Sequence, residues 1–156
     1  MVKNAIANQQ PTKTIFERIP RSIDAHPMIV TSKIETWISN KEYLKAEREL
    51  RKQIPNNWNK ELILLYAELG DDKVNELSER TEKWLEDRPK DANLWLVASR
   101  LAQKDGLWSK AQQCIERSIE IRPASETYTE LALILSELGE KQQASEALKL
   151  ARQTSG

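Results

Sequence analysis

The sequence predicts an all-α protein: a right-handed superhelical solenoid of antiparallel helix hairpins, with about eight helices. Composition is the first observation, because charged residues form 31% of the 156 residues and only 4 residues are glycine. Glu, Lys, Leu, Ala and Gln abound, whereas runs of Val, Ile, Thr and Tyr are nearly absent, which is typical of helical proteins. The second observation is an internal repeat, which indicates that the helices form stacked hairpins.

The repeat is found by a shift of 33 residues, which places segment 94–118 on segment 127–151. Large, small and turn positions then coincide. The matched pairs are Trp95 and Tyr128, Ala98 and Leu131, Leu101 and Ile134, Gly106 and Gly139, Ala111 and Ala144, Ile115 and Leu148, and Ser118 and Ala151.

A single domain is predicted over 14–152, with a flexible segment at 1–13 before it and a frayed tail at 153–156 after it. Either a short entry helix or the second helix of an incomplete hairpin is expected within 12–27, interrupted or kinked at Pro20. The four predicted hairpins span 28–55, 57–89, 92–123 and 124–152. The prolines expected to follow the end of a helix are Pro55, Pro89 and Pro123.

Turn residues define the first two hairpins. The first hairpin is expected to turn at 39–41, with Ala46 as the small residue where its two helices approach closely. In the second hairpin, Gly70 is expected to end the first helix, and Asp71 or Asp72 to cap the N-terminus of the next one.

The third hairpin has the clearest pattern. Apolar residues at 94, 97, 98, 101 and 102 have helical spacing. Gly106 is expected to take a positive φ at the C-terminal cap. The second helix then runs to about Ile121 and stops at Pro123, and the small Ala111 allows a close approach of the pair.

These hairpins resemble the tetratricopeptide repeat, which has a period near 34, an aromatic fourth residue, a turn glycine, an alanine opening the second helix and a closing proline. The matching residues are Trp95, Gly106, Ala111 and Pro123 in the third hairpin, and Tyr128, Leu131, Gly139, Ala144 and Ala151 in the fourth. Ser99 and Ala132 stand where the repeat has glycine, and the first two hairpins match poorly. The resemblance implies that the first helix of each hairpin lines a concave groove.

A narrower resemblance extends from Thr14 onwards. The strings "TEKWLEDRPKDANLWL" (81–96) and "LWSKAQQCIERSIEIRPASETYTELALILSELGE" (107–140) are similar to the C-terminal repeat region of HemY-type proteins. These are bacterial inner-membrane proteins of the haem and porphyrin pathway, with two N-terminal membrane helices. The resemblance implies that this chain is a soluble fragment of a membrane-anchored parent, with the repeat domain on the cytoplasmic side.

Neither the single cysteine nor the single histidine predicts a reactive site. Cys114 lies on the apolar side of its helix, where a buried packing thiol is expected. His26 precedes Pro27 in a linker, where a surface or capping role is expected. A metal site needs three or four ligands, and the sequence has no Gly-rich phosphate loop or serine elbow. The chain is therefore predicted to be no enzyme and to hold no metal or cofactor.

Porphyrin or haem binding is the alternative to a pure scaffold, because the sequence contains five tryptophans that could stack on a porphyrin ring. They are Trp37, Trp58, Trp84, Trp95 and Trp108. Trp95 and Trp108 hold repeat positions and are expected in the core, whereas Trp58 follows a turn and is expected to be partly exposed. A carrier would use such a tryptophan or the concave groove.

The groove is the predicted partner-binding surface. Its predicted residues are Leu96, Arg100 and Gln103 from the third hairpin and Thr129, Leu133 and Ser136 from the fourth. An apolar centre with polar neighbours suits a protein partner. Lys+Arg and Asp+Glu both total 24, which argues against nucleic acid or anionic membrane as a partner. The predicted function is a protein-interaction scaffold, whose partners are haem-biosynthesis enzymes if the HemY resemblance holds.

Overall fold

The computed structural model describes residues 26–154, so the predicted segment 1–13 and nearly all of the helix within 12–27 lie outside the described residues. In the described part the chain forms eight α-helices and no strand. The helices are α1 (Pro27–Ser39), α2 (Tyr43–Asn56), α3 (Lys60–Tyr66), α4 (Val74–Asp87), α5 (Ala92–Lys104), α6 (Trp108–Ile121), α7 (Ser125–Glu137) and α8 (Lys141–Gln153). The chain divides into two compact units, Met1–Gly70 and Asp71–Gly156.

In the first unit, α1 and α2 form the hairpin predicted at 28–55, and α3 packs on both helices. Ala46 is fully buried, as its predicted close-packing role requires. Pro55 was predicted to follow the end of α2, but it lies inside the last turn of that helix. A proline there is tolerated because α2 ends one residue later, so a single backbone hydrogen bond is lost.

His26 caps the N-terminus of α1, which confirms one of the two roles expected for it. Its Nδ1 accepts a hydrogen bond from the backbone N–H of Met28 at 3.2 Å. Pro27 occupies the first helical position, where its missing N–H would have no partner within the helix.

The second predicted hairpin differs from expectation around residue 70. Its helices, α3 and α4, fall in different compact units. The C-terminal cap of α3 is Ala67 instead of Gly70. A short 3₁₀ turn then moves the start of α4 to Val74, so that its N-terminal cap is Lys73. The predictions of a Gly70 cap and an Asp71 or Asp72 cap are therefore wrong.

The second unit contains the two hairpins with the clearest repeat pattern, α5–α6 and α7–α8. The helices pack in chain order, with α4 on α5 and α6 on α7. Gly106 and Gly139 take φ values of 74° and 83° in the two turns, as predicted for Gly106 from its cap position. Helix α6 ends at Ile121, two residues before Pro123. Gln153, predicted in the tail, is the last residue of α8.

Two buried serines join the helices of the α5–α6 hairpin. The hydroxyl of Ser99 donates to the carbonyl of Ala111 at 2.9 Å, and that of Ser118 donates to the carbonyl of Ala92 at 2.8 Å. Since each buried hydroxyl has a partner, neither incurs the free-energy penalty of an unsatisfied polar group. Ser99 therefore replaces the usual small glycine with a direct link between the paired helices.

Within residues 26–154, every helix is too short or too polar to cross a lipid bilayer.

Candidate functional site

A polar network joins α5 to α7 at the position of the predicted groove. The guanidinium of Arg100 donates from Nε to Glu130 at 2.7 Å and from Nη2 to Glu126 at 2.9 Å. Gln103 donates its side-chain amide to the second carboxylate oxygen of Glu130 at 2.9 Å. Both carboxylate oxygens of Glu130 are thus bound by α5, so the network fixes the position of α7 relative to α5.

Arg100 is half-buried in this network. Burial alone lowers the pKa of its guanidinium, but the hydrogen bonds and negative charges of Glu130 and Glu126 outweigh burial, and the net pKa is raised. Charge-assisted hydrogen bonds of this kind are roughly twice as strong as neutral ones. Arg100 is therefore engaged within the chain, and a partner would have to displace Glu126 or Glu130 to bind it.

Leu96 was predicted to line the groove, but only 2% of its surface is exposed. It lies one turn before Arg100 on α5. Burial removes the leucine side chain from water, which favours this position energetically. Leu96 therefore offers no side-chain surface to a partner, and it leaves the candidate site.

The other three predicted residues form an exposed row along α7. Thr129, Leu133 and Ser136 are spaced four and three residues apart, so they lie on one side of the helix. Leu133 is 52% exposed. Thr129 donates its hydroxyl to the carbonyl of Ser125 at 2.9 Å, which leaves the hydroxyl oxygen able to accept a hydrogen bond.

The structure therefore brings the predicted residues together in two groups. Arg100 and Gln103 are bound by the carboxylates of α7, and Thr129, Leu133 and Ser136 are open. We name the whole set, with Glu126 and Glu130, the α5–α7 surface. The two glutamates were missed in the sequence; their spacing of four residues on the helix after Arg100 is the signal that could have revealed them.

A pocket of about 310 Å³ lies elsewhere in the second unit, among α4, α5 and α6. Glu79, Glu82 and Asp105 contribute carboxylates to its lining, and Lys110 contributes its only basic group. Lys110 and Glu82 form an ion pair at 3.0 Å. Their hydrogen bond is the main cause of a raised Lys110 pKa, against a smaller lowering by burial.

Cys114 is buried, as predicted for a packing thiol. Burial raises the pKa of its thiol, and the nearby charge of Lys110 offsets only part of that rise. A thiol held in its neutral form is a poor nucleophile, because the thiolate is the reactive species. In the described part of the chain, no three His, Cys, Asp or Glu side chains converge on a point that could hold a metal ion.

All five tryptophans are half-buried. This agrees with the partial exposure expected for Trp58, whereas Trp95 and Trp108, which were expected in the core, keep part of their surface exposed. Trp95 donates its indole N–H to the carbonyl of Pro89 at 2.8 Å, so it anchors the start of α5 to the preceding loop.

Comparison with known proteins identifies the fold. No family model matches the chain, and no curated protein matches its sequence. Among solved structures, TTC0263, "a thermophilic TPR protein in Thermus thermophilus", has a TM-score of 0.69 and 15% identity, covering 89% of this chain and 81% of its own. "MamA MSR-1 C2" has a TM-score of 0.59 and 14% identity, covering 97% and 90%. "MamA 41-end from Desulfovibrio magneticus RS-1" has a TM-score of 0.61 and 12% identity, covering 97% and 89%.

The likeness confirms the predicted fold class, an all-α solenoid of tetratricopeptide-like hairpins. The helices in the described residues, their pairing and the glycine turns agree with that class.

Proposed function

We propose that this chain is a non-catalytic scaffold for protein–protein interaction and that a partner binds along the α5–α7 surface. The exposed row on α7 carries the proposal, because it places one apolar side chain, Leu133, between the hydroxyls of Thr129 and Ser136. An apolar anchor between polar groups is the usual arrangement at the centre of a protein interface.

The charge of this surface defines the partner further. Helix α7 carries three acidic residues and no basic one, and Arg100 binds two of the three, Glu126 and Glu130. The surface therefore has an excess of negative charge. A partner segment that inserts an apolar side chain beside Leu133 and carries Lys or Arg nearby has the complementary chemistry.

The HemY resemblance supplies a cellular context for the scaffold. We propose that the parent protein is anchored in a bacterial inner membrane, that this domain lies on its cytoplasmic side, and that its partners are enzymes of haem and porphyrin biosynthesis. The strings at 81–96 and 107–140 support this context. A porphyrin carrier, the alternative, has no specific support from the described residues, because the tryptophans are half-buried and the pocket among α4, α5 and α6 is rich in carboxylates.

Affinity capture with matched variants tests the proposed surface. The chain is immobilised and incubated with lysate of a bacterium that makes haem, and bound proteins are identified by mass spectrometry. Thr129→Arg and Ser136→Arg each place a long cation in the exposed row and leave Arg100 itself unchanged. Gln113→Arg, at an exposed position on α6, is the matched control.

We expect both row variants to lose specific partners that the wild type and Gln113→Arg retain. Capture should also weaken with added salt, since exposed charges are screened over about 8 Å at physiological ionic strength. Equal recovery by all four proteins would remove the α5–α7 surface from the proposal. Specific partners that include no enzyme of the porphyrin pathway would refute the cellular context while leaving the scaffold.

A further inference from the structure

The repeat makes it possible to compare the two successive faces of the second unit. The α5–α6 hairpin is covered by α7, whereas the α7–α8 hairpin has no later helix on it among the described residues. Ile115 in α6 is completely buried, but its repeat equivalent in α8, Leu148, is 42% exposed. The face of the α5–α6 hairpin that α7 covers therefore has a counterpart on the α7–α8 hairpin, and this counterpart is exposed.

Position 133 shows the same relation. Its repeat equivalent is Arg100, which reaches across to Glu126 and Glu130 on the following helix. In α7 the equivalent side chain is Leu133, which is exposed and apolar. On the open face, the hydrophobic Leu133 thus stands where the preceding hairpin has the ion-pairing Arg100. A molecule that binds this face therefore has to offer apolar surface at Leu133.

Exposed apolar side chains are concentrated in this hairpin. In the described residues, seven large hydrophobic side chains are exposed, and four of them belong to α7–α8 or its turn. They are Leu133, Leu138, Leu148 and Leu150. We name the surface around Leu133 and Leu148 the end face.

The charges beside the two leucines have opposite signs. Helix α8 carries three basic residues and one acidic residue, whereas α7 carries only acidic ones. Lys141 and Arg152 lie seven residues before and four after Leu148, so they share its side of α8. Glu126 and Glu137 lie seven before and four after Leu133, so they share its side of α7. The end face is therefore acidic along one helix and basic along the other.

We propose that the end face binds the end face of a second copy of this chain, forming a symmetric dimer. With a two-fold axis parallel to the helices, α7 of each copy lies against α8 of its partner, antiparallel to it. The antiparallel hairpin brings Glu137 and Lys141 to one end, so each Glu137 meets the partner's Lys141. At the other end, the partner's Arg152 approaches Glu126, whose carboxylate also accepts from Arg100 of its own chain, and the leucines meet between the two ends. Such an interface is self-complementary, as a two-fold requires.

The size of the end face determines the expected affinity. Each helix has 13 residues and is therefore about 20 Å long, and two adjacent helices are about 20 Å wide. Each copy would then bury about 400 Å², or about 800 Å² in total. That area lies below the range of stable dimers, so the dimer should dissociate in the micromolar range or above.

Sedimentation equilibrium of the whole chain, from one to several hundred micromolar, measures this association directly. Leu148→Glu places two carboxylates in the apolar centre and should weaken the dimer by at least about a hundredfold. Leu107→Glu, at another exposed leucine in the second unit, is the matched control and should associate like the wild type. Circular dichroism before each run verifies that the variants are helical.

Reversing the charges of Glu137 and Lys141 tests the dimer independently of folding, because a misfolded variant would not regain association when it is mixed with the other variant. Glu137→Lys and Lys141→Glu should each weaken self-association by on the order of tenfold, because like charges then meet twice across the axis. An equimolar mixture of these two variants restores opposite charges at both contacts. We therefore expect the mixture to form a mixed dimer, detected by native mass spectrometry, more strongly than either variant pairs with itself.

The dimer and the scaffold function compete for Leu133, so a second copy and another protein cannot occupy it at the same time. The two proposals are distinguishable, since self-association of the purified chain requires no other protein. A monomer throughout the concentration range would overturn it and assign the end face to a helix of a different protein. A dimer that Leu148→Glu does not weaken, or a charge-reversed mixture with no preference for mixed pairs, would also overturn it.

Discussion

The left-handed residue in each hairpin turn offers a stability test worked from backbone geometry. Three turns share one hydrogen-bond pattern, and they contain Lys41, Gly106 and Gly139 at φ values of 61°, 74° and 83°. In each turn this residue donates its N–H to the carbonyl three residues earlier, and the next N–H bonds to the carbonyl five residues back. Two turns have the glycine that the conformation favours, and the first has a lysine.

The expected magnitudes follow from that difference. A side chain in the left-handed region costs about 1–2 kcal/mol, whereas glycine loses about 0.4–1 kcal/mol more conformational entropy on folding. Lys41→Gly should therefore raise the free energy of unfolding by about 0.5–1 kcal/mol. Gly106→Ala and Gly139→Ala should lower it by a similar amount. An added Cβ at either glycine meets no atom within 4 Å, so no steric clash adds to the changes in backbone strain and conformational entropy.

Urea unfolding followed by circular dichroism and tryptophan fluorescence measures these changes. Ser39→Gly is the control, because Ser39 is the exposed last residue of α1 and glycine in a helical conformation destabilises by up to about 1 kcal/mol. A Lys41→Gly variant that loses as much stability as Ser39→Gly would refute the equivalence of the three turns. Neutral Gly→Ala variants would refute the strain argument.

Four further predictions concern individual contacts and ligand binding. A double-mutant cycle of Arg100→Met and Glu130→Gln should give a coupling of about 1 kcal/mol in urea unfolding, between the values for exposed and buried pairs. Ser99→Ala should destabilise by about 1 kcal/mol through the lost bond to Ala111, and Ser99→Val by more, because valine replaces the hydroxyl with a methyl group and adds a second methyl group that must fit between the paired helices. Cys114 should alkylate slowly when folded, with a rate that rises at higher pH than in urea-unfolded chain, since burial raises the pKa of the thiol; equal pH profiles would contradict this. Added porphyrin at tens of micromolar should leave both its absorption band and the tryptophan fluorescence unchanged, and a saturable change in either would restore the carrier hypothesis.

Local signals made much of the fold predictable from sequence. The turn at Gly106 and the helix end before Pro123 depend on backbone restrictions that act within a few residues. The burial of Cys114 follows from helical periodicity alone. The 33-residue repeat then related the two hairpins of the second unit, so a pattern clear in one supported the other.

The chain around residue 70 was less predictable, because competing local signals occur together. In the sequence, Gly70 is a plausible cap for the end of one helix, and Asp71 or Asp72 for the start of the next. The chain instead forms a 3₁₀ turn here and starts α4 at Val74. Pro55 was misplaced for a related reason. Its conformational restriction acts on the preceding residues, so it permits one more helical residue after it before α2 ends.

Repeat geometry predicts which residues lie near one another in the candidate site, but not which of them are buried or already bound within the chain. Repeat geometry placed six residues on one surface, but it could not show which of them the chain itself occupies. Arg100 and Glu130 are 30 residues apart, and nothing local to either indicates their pairing. Likewise, helical periodicity does not distinguish a leucine that lines an open groove from one, such as Leu96, that is buried.

The next helix in the stack determines whether the side chain at a given repeat position is bound within the chain or exposed to a partner. Arg100 and Leu133 are equivalent in the repeat, yet Arg100 binds two carboxylates of the next helix and Leu133 is exposed. Were α7 removed, Arg100 and Ile115 would form an open face of the same kind. An acidic helix would be its natural occupant, because Arg100 requires carboxylates. At the end face, Leu133 stands in place of that arginine, so the same geometry favours an apolar contact. The charges that select the partner then lie at the edge of the face, on Glu137 and Lys141.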